Sequence, residues 1–336
     1  MNVMDVALSN FWYGVEHSVA LAARPLQVTL LGQNYVLYRD AQGQPFAAVD
    51  RCPHRGASFQ RGWLESGCLR CPYHGWSFDA EGRCVSIPAD QPGVPIPGRA
   101  RLQLVPVAER SGFIWIFPGD PSQANPDLIP RFPEFGAPGW RAVSGEYAWD
   151  ANFSRVVESG LDTSHAPFVH KNFHSNRDDA VIHPLDIIVD QSAVGCMVEV
   201  KPPTPKGVFK YFLKKKERRY ASTWLTCYVP NVNRMDFDLN LKGYRFVYMG
   251  SNIPVNATQT LTKWIEVRNF ALLPIADRQF IADTVHTYEE DKVIIETQEV
   301  GLTWELDHRE LLLASDQLIL AYRKKMAALL AVQPVA

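Results

Sequence analysis

Two short stretches of the sequence place cysteine and histidine at spacings typical of metal ligands. Cys52 and His54 form a C-x-H pair, and Cys71 and His74, after sixteen intervening residues, form a C-x2-H pair. A glycine closely follows each pair. Two thiolates on one iron and two neutral imidazoles on the other hold a Rieske [2Fe–2S] cluster. The pattern therefore predicts such a cluster, held between two loops.

A structural zinc site is the alternative for the same region. Cys68 and Cys71 are themselves a C-x2-C pair, which Cys52 and Cys84 could complete to a site of four thiolates. That arrangement would leave both histidines without a role. If the iron–sulfur interpretation holds, Cys68 and Cys84 are ordinary buried thiols.

A second group of potential ligands lies further along the chain. Asp162, His165 and His170 form a D-x2-H-x4-H pattern. A helix predicted over about 152–170 would place Asp162 and His165 on one face, and Pro167 would distort it so that His170 can turn back. Two imidazoles and one carboxylate on one side of a ferrous ion leave the other positions open to O2. The pattern therefore predicts a mononuclear iron site.

Local spacing leaves the carboxylate ligand of this site open. The candidates are Asp162, Asp178, Asp179 and Asp291. In a helix predicted over about 275–299, Asp291 falls on the apolar side, whereas Glu289 and Glu290 fall mostly elsewhere. A lone carboxylate on an apolar face is costly unless it is paired or bound to metal, which favours Asp291. His174 is a rival histidine ligand by spacing alone.

Composition bounds the kind of protein that carries these sites. The chain has 336 residues, of which 46% are hydrophobic, and its formal net charge is −2. This composition excludes a disordered chain, and the net charge gives no reason to expect binding to nucleic acid. No apolar run reaches the roughly 18 to 20 residues of a membrane span. Asp5 precedes any Lys or Arg, so we expect no signal peptide. We therefore expect reduced cysteines and a cytoplasmic location.

Two domains are expected to position the sites. The first 120 residues contain short β-rich runs separated by turn residues, which predicts a small antiparallel β domain. A proline-rich linker follows, and then a domain of strands and helices, which makes the chain α+β. The predicted domains are 1–120 and 142–336, with the linker at 121–141. In the second domain we expect strands near 185–200, 220–230, 243–250 and 258–268, and closing helices at about 275–299 and 305–330.

The sequence resembles the Rieske non-heme iron oxygenases at several of these places. The matching stretches are Cys-Pro-His-Arg-Gly (52–56), Cys-Pro-Tyr-His-Gly-Trp (71–76), Phe-Trp-Tyr (11–13) and Gly-Phe-Ile-Trp-Ile-Phe-Pro-Gly-Asp (112–120). The resemblance covers nearly the whole chain and is closest to compact members such as the dicamba and vanillate demethylases. It implies an N-terminal antiparallel β Rieske domain. It also implies a C-terminal helix-grip, START-like catalytic domain, whose antiparallel sheet is covered by helices.

The same resemblance implies roles for the second group of ligands. Asp291 matches the family's carboxylate ligand, beside His165 and His170. Asp162 matches the aspartate that bridges an iron-bound histidine to a cluster histidine of the adjacent subunit, which here would be His74. A head-to-tail homotrimer follows from that arrangement. In one departure, Ser159 stands where many relatives have Asn.

The implied function is that of the terminal oxygenase in a Rieske monooxygenase system. Such an enzyme uses O2 to hydroxylate, or to O- or N-demethylate, a small organic substrate that is aromatic or heterocyclic. The sequence has no strand–Gly-x-Gly-x-x-Gly–helix pattern, so electrons from NAD(P)H must come through a separate reductase or ferredoxin. The alternatives are an enzyme that forms cis-diols on aromatic rings and a non-catalytic Rieske redox sensor with a ligand pocket.

Two groups of basic residues are candidates for recognition. Arginines around the cluster motif could dock an acidic electron donor, and they are Arg51, Arg55, Arg61, Arg70 and Arg83. Otherwise they belong to a mixed solvated surface. The run from Lys214 to Arg219 is either a solvated loop or a lid that attracts an anionic substrate. No nucleic acid or membrane partner is expected.

Overall fold

The chain folds as two units that divide between Arg131 and Phe132. The computed structural model describes residues 8–91, 93–170, 180–182, 184–200, 221–239 and 242–331. The division falls within the stretch predicted as the linker, whose bounds at 121–141 stay a prediction. No helix in the described residues is both long enough and apolar enough to cross a membrane.

The first unit is built from three small antiparallel sheets. The strands are β1 (Tyr13–His17), β2 (Leu26–Leu30), β3 (Gln33–Arg39), β4 (Pro45–Val49), β5 (Trp63–Glu65), β6 (Cys68–Arg70), β7 (Ser77–Phe78), β8 (Cys84–Ser86), β9 (Leu104–Val105), β10 (Val107–Arg110) and β11 (Phe113–Ile116). Their orders in the three sheets are β1-β11-β10, β2-β3-β4-β9 and β5-β6-β7-β8. Buried apolar side chains such as Val36, Phe59 and Phe78 form a core shared by the two four-stranded sheets.

The second unit contains one seven-stranded antiparallel sheet in the order β12-β18-β17-β16-β15-β14-β13. Its strands are β12 (Arg141–Trp149), β13 (Ile188–Val189), β14 (Ala193–Val200), β15 (Ala221–Tyr228), β16 (Val232–Asp238), β17 (Arg245–Asn256) and β18 (Gln259–Arg268). The described α-helices are α1 (Phe153–Ser159), α2 (Ala166–Val169), α3 (Asp277–Ile295) and α4 (Gln317–Ala331).

Helices α1 and α3 cover the same face of this sheet. Asn233 on β16 donates from Nδ2 to the carbonyl of Val157 in α1 over 3.0 Å. Thr284 on α3 donates from Oγ1 to Oε2 of Glu266 on β18, also over 3.0 Å. The β16–β17–β18 register places Asn233 and Glu266 on one face. The predicted class is therefore confirmed in its topology: α+β, with small antiparallel sheets in the first unit and an antiparallel sheet covered by helices in the second.

The helix predicted over 152–170 is wrong in its extent. The side chain of Asn152 caps α1, and the helix ends at Ser159. Gly160 then lies so close to Asn233 that an added Cβ would be 2.3 Å from Nδ2. Asp162 Oδ1 accepts both the N–H and the hydroxyl of Ser164 at 2.7 Å, and such local bonding competes with helix. The segment that carries Asp162 and His165 is therefore a turn.

Two strands and one helix boundary also differ from prediction. Strands β12 and β16 were not predicted, because charged residues such as Glu146, Arg234 and Asp236 interrupt their apolar pattern. The last helix begins at Gln317 instead of about 305. Before it, Asp316 accepts the N–H of Leu313 at 2.7 Å, and this local hydrogen bond sits at the start of the short 3-10 turn that leads into α4.

Candidate metal centres

The cluster motif forms two loops with nearly the same backbone. In the first, Cys52 donates its N–H to Ala57 and accepts from Gly56, at 2.9 and 2.8 Å. In the second, Cys71 donates to Trp76 and accepts from Gly75, at 2.9 and 3.0 Å. Both glycines have positive φ, +74° and +70°, which L side chains rarely adopt. The spacing from cysteine to glycine thus closes two matching loops.

The four predicted ligands of these loops form two unlike pairs, one of thiols and one of imidazoles. Both thiols are buried, while His54 is exposed and His74 is half-buried. The imidazole rings of His54 and His74 lie 4.6 Å apart between centroids, and His54 stacks on Trp76 at 4.6 Å. A pair of buried thiols with a pair of outward imidazoles fits the two unlike irons of a Rieske cluster.

The zinc alternative is not supported by the arrangement of the cysteines. Among the described residues, the cysteines form no group of three or more ligand atoms within 4.8 Å. Cys68 and Cys84 therefore do not join Cys52 and Cys71 around one ion. Burial raises the pKa of the Cys84 thiol, as expected for a structural cysteine.

The second predicted ligand set comes together from two distant parts of the chain. His165 precedes α2 and His170 follows it, while Asp291 lies on α3. Nε2 of His165 lies 3.2 Å from Nε2 of His170. Asp291 Oδ1 lies 3.4 Å from the first of these nitrogens and 3.2 Å from the second. Within the described chain, this is the one such group of His, Cys, Asp or Glu side chains.

This triangle of donor atoms fits one metal ion. The centre of a triangle of this size is about 1.9 Å from each corner, close to the roughly 2.0–2.2 Å of metal bonds to imidazole nitrogen and carboxylate oxygen. Burial opposes the protonated form of His165, but Asp162 and Asp291 outweigh it and raise the pKa of His165 to about 10. The site therefore attracts positive charge strongly, and its donor set is that of a facial triad.

The outer nitrogens of the two histidines have unequal partners. Nδ1 of His170 lies 3.0 Å from Oε2 of Glu290. Nδ1 of His165 lies 3.5 Å from Oδ2 of Asp162, which is too far for a good hydrogen bond. Sequence reasoning placed Glu290 away from the site, and this is corrected here. Its position next to Asp291 is the signal that could have identified it, since metal-bound histidines usually donate to a carboxylate.

A ring of four charged side chains lies next to the triad, and sequence reasoning missed it as well. Arg155, Glu158 and Arg323 are buried, and Glu310 is half-buried. Arg323 on α4 donates to Glu158 at 2.7 Å and to Glu310 at 2.7 Å. Arg155 on α1 donates to Glu310 at 2.6 Å and also bonds Glu158. The ring thus ties α4 to the helix that leads into Asp162. Each charge in it has an opposite partner, as a buried charge requires.

A cavity of about 190 Å³ adjoins both features. One side is lined by Asp162, His165 and Asp291, and another by Arg155 and Arg323. The cavity is partly open, so solvent or another molecule reaches the ligands from this side. The other candidates named from the sequence, His174, Asp178, Asp179 and the Lys214–Arg219 run, lie outside the described residues.

Family models match both units of the chain. A Rieske [2Fe–2S] domain matches residues 11–107, and the vanillate O-demethylase oxygenase C-terminal domain matches residues 149–332. Together they cover both loops of the cluster motif and all members of the His–His–Asp triad.

Curated relatives and solved structures agree with these matches. A putative toluene-4-sulfonate monooxygenase iron-sulfur subunit of Comamonas testosteroni is 30% identical, over 92% of this chain and 93% of its own. The dicamba O-demethylase oxygenase component of Stenotrophomonas maltophilia is 34% identical, over 61% and 60%. A dicamba monooxygenase structure with 3,6-dichlorosalicylic acid superposes with a TM-score of 0.83 at 26% identity, over 97% and 98%. Pseudomonas putida NdmA with caffeine gives 0.82 at 25%, over 97% and 92%.

These matches cover the whole two-unit architecture, and each relative is an oxygenase component or an iron–sulfur subunit of a larger system. Such a component receives its electrons from a separate reductase or ferredoxin and acts on a small molecule. The chain therefore belongs to the Rieske non-heme iron oxygenases of the vanillate O-demethylase type, and it is a monooxygenase component whose cofactors are a Rieske cluster and a mononuclear iron.

Proposed function

We propose that Cys52, His54, Cys71 and His74 hold the cluster, and that His165, His170 and Asp291 hold the mononuclear iron. The observation that carries the proposal is the triangle of donor atoms, with sides of 3.2, 3.4 and 3.2 Å. Bound there, ferrous iron supplies the chemistry that activates O2. The protein's part is to hold neutral imidazoles and one carboxylate on one side of the ion.

The proposed reaction is hydroxylation or demethylation of a small aromatic or heterocyclic substrate. One oxygen atom of O2 enters a C–H bond, and the other leaves as water with two electrons and two protons. Where the attacked carbon bears O or N, the hydroxylated product collapses and the methyl group is lost as an aldehyde. A relative named for dicamba and a similar structure solved with caffeine support this range of substrates.

The substrate surface that we propose lies on the sheet face covered by α3. Met235, Phe237, Phe246 and Tyr248 point to this face and remain only half-buried. Phe237 and Phe246 stack at 4.2 Å between ring centroids, and the hydroxyl of Tyr248 bonds that of Tyr288 on α3. A flat apolar surface with one polar group suits an aromatic ring.

The test is a substrate screen with a surrogate reductase, using methoxy- and N-methyl-substituted aromatics. We expect NADH consumption coupled to product, with one labelled oxygen atom from 18O2 incorporated before any loss of formaldehyde. Two labelled atoms in a cis-diol would instead indicate ring dihydroxylation. About three irons per chain fits the oxygenase, whereas two fits the redox sensor.

The electron path that we propose crosses between copies of the chain. Asp162 is about a quarter exposed at its side chain and adjoins the open cavity, so another molecule can reach it. Tyr73, beside His74, is 58% exposed. In a head-to-tail homotrimer, His74 of one copy would donate a hydrogen bond to Asp162 of the next, and electrons would cross at this contact. Sedimentation analysis should give a trimer; an active monomer would contradict the path.

The donor would dock on the arginines around the cluster loops. Arg70 pairs with Glu65 and Arg83 pairs with Asp79, so these two are already neutralised. The remaining three, Arg51, Arg55 and Arg61, are exposed, and no ion pair within the described residues involves them. Reversing Arg55 to Glu should lower the reduction rate steeply at low salt and little at high salt. A rate that does not depend on salt would count against docking there.

The cytoplasmic location stays a prediction.

A further inference from the structure

The imidazole of His170 is held between two consecutive residues of α3. We propose that Glu290 is a positioning residue that fixes the ring of His170 and thereby retains the metal ion. The proposal rests on the ligand set proposed above. It assigns to Glu290 a role separate from that of Asp162, which contacts the other histidine.

The geometry puts one carboxylate on each ring nitrogen of His170. Glu290 Oε2 lies 3.0 Å from Nδ1, and Asp291 Oδ1 lies 3.2 Å from Nε2. His170 is 4% exposed, so water does not replace either partner. Because Glu290 and Asp291 are adjacent on one helix, the position of α3 fixes both contacts together.

The Glu290 contact determines which nitrogen faces the metal. A carboxylate accepts a hydrogen bond and does not donate one. Nδ1 therefore carries a proton that it donates to Glu290, which would leave Nε2 as the nitrogen that binds the metal ion beside Asp291 and His165. The negative charge also makes the imidazole a stronger ligand. Removing the carboxylate would leave a buried N–H without a partner.

The equivalent contact on His165 is much weaker. Its Nδ1 lies 3.5 Å from Oδ2 of Asp162 and makes no hydrogen bond to any described residue. Asp162 instead accepts two hydrogen bonds from Ser164, both at Oδ1. The two carboxylates are therefore unequal: Glu290 makes a close contact with its histidine, whereas Asp162 makes only a long one. Metal retention should depend on Glu290 more than on Asp162.

The experiment measures metal affinity in the full-length protein with its cluster in place. Iron is removed from the mononuclear site by a mild chelator, and Co²⁺ is titrated back against a competing dye. Glu290→Ala should weaken binding about 10- to 100-fold, and Glu290→Gln should weaken it less because the amide oxygen still accepts. Glu289→Gln is the matched control, since Glu289 is 61% exposed at its side chain and its one ion pair within the described residues is a long contact with His286, 3.9 Å. Visible absorption of the cluster reports the first unit only, so circular dichroism and the thermal unfolding temperature show that the second unit of each variant has folded.

The outcomes distinguish a positioning role for Glu290 from no role and from direct ligation of the metal ion. Unchanged affinity in Glu290→Ala would overturn the proposal, as would Asp162→Asn weakening the metal as much as Glu290→Ala. Complete loss of Co²⁺ would make Glu290 a ligand and would also overturn it. The ligand set is tested separately by His170→Ala and Asp291→Ala. If both variants still bind one ion per chain tightly, the proposed metal site fails, whatever Glu290 does.

Discussion

The two proposed metal sites of this protein are built in opposite ways. The cluster loops are local: each is a six-residue turn closed by two backbone hydrogen bonds and a glycine with positive φ. The His–His–Asp triad joins a turn after α1 to a helix more than 100 residues later, beside a ring of four charged side chains. The first site depends on backbone conformation, whereas the second depends on the packing of the whole domain.

This difference teaches where each site is vulnerable. A local loop fails when one residue no longer fits its turn, and the rest of the domain is little affected. A site assembled from distant segments fails when any element that positions it moves. Substitutions can therefore be chosen that affect one site and leave the other intact.

The largest expected effects come from removing a proposed ligand at each site. His170→Ala should abolish oxygenation and reduce iron from about three to about two per chain, while the cluster absorption stays. Cys71→Ser should remove the cluster absorption but leave the mononuclear site able to bind Co²⁺. Iron analysis and visible spectra check both. A His170→Ala variant that oxygenates at the normal rate would contradict the site assignment.

The next effect tests the buried ring of charges. Arg323→Met leaves Glu158 and Glu310 without one of their two cations. Breaking a buried pair from one side costs about 3–5 kcal/mol of unfolding free energy. The unfolding temperature measured by circular dichroism should therefore fall by roughly 10 °C. Lys324→Met, at an exposed position on the same helix, is the control. Equal melting of the two variants would show that the ring contributes little to stability.

A smaller effect concerns a buried carboxyl on the sheet face covered by α3. Burial raises the pKa of Glu266 to about 7, so between about pH 4.5 and 7 the folded state binds more protons than the unfolded state. Stability contributed by this group is lost as the pH rises through that window. Glu266→Gln should therefore gain about 2 to 3 kcal/mol relative to the natural protein between pH 5 and pH 8. Denaturant titrations at both pH values measure these unfolding free energies. A difference between variant and natural protein that is the same at both pH values would refute the prediction.

The smallest effect separates backbone strain from crowding in a cluster loop. Gly75→Ala forces a side chain into positive φ, at a cost of about 1 kcal/mol, and brings its Cβ to 3.2 Å from Pro88. Gly67 has a similar φ of +74° with nothing within 4 Å of an added Cβ. The denaturant midpoint for loss of cluster absorption should therefore fall further in Gly75→Ala than in Gly67→Ala. Identical midpoints would mean that the loop tolerates the contact.

The same contrast explains what could be predicted from the sequence. The cluster motif is visible because its chemistry and its turn residues lie within a few positions of each other. Asp291 was favoured because a carboxylate on an apolar helix face needs a partner. Glu290 was misplaced because a helical periodicity says nothing about a histidine that approaches from a loop. The pairing of Arg323 with Glu158, 165 residues apart, leaves no local signal at all.

Strands β16 and β17 supply the half-buried aromatic surface and none of the proposed metal ligands. If this is the substrate surface, as proposed, exchanging Met235, Phe237 or Phe246 should change which substrates the enzyme accepts and leave the proposed metal ligands in place. Related enzymes can acquire new substrates through substitutions at a few neighbouring positions of this surface. A laboratory library restricted to these three positions would test that directly.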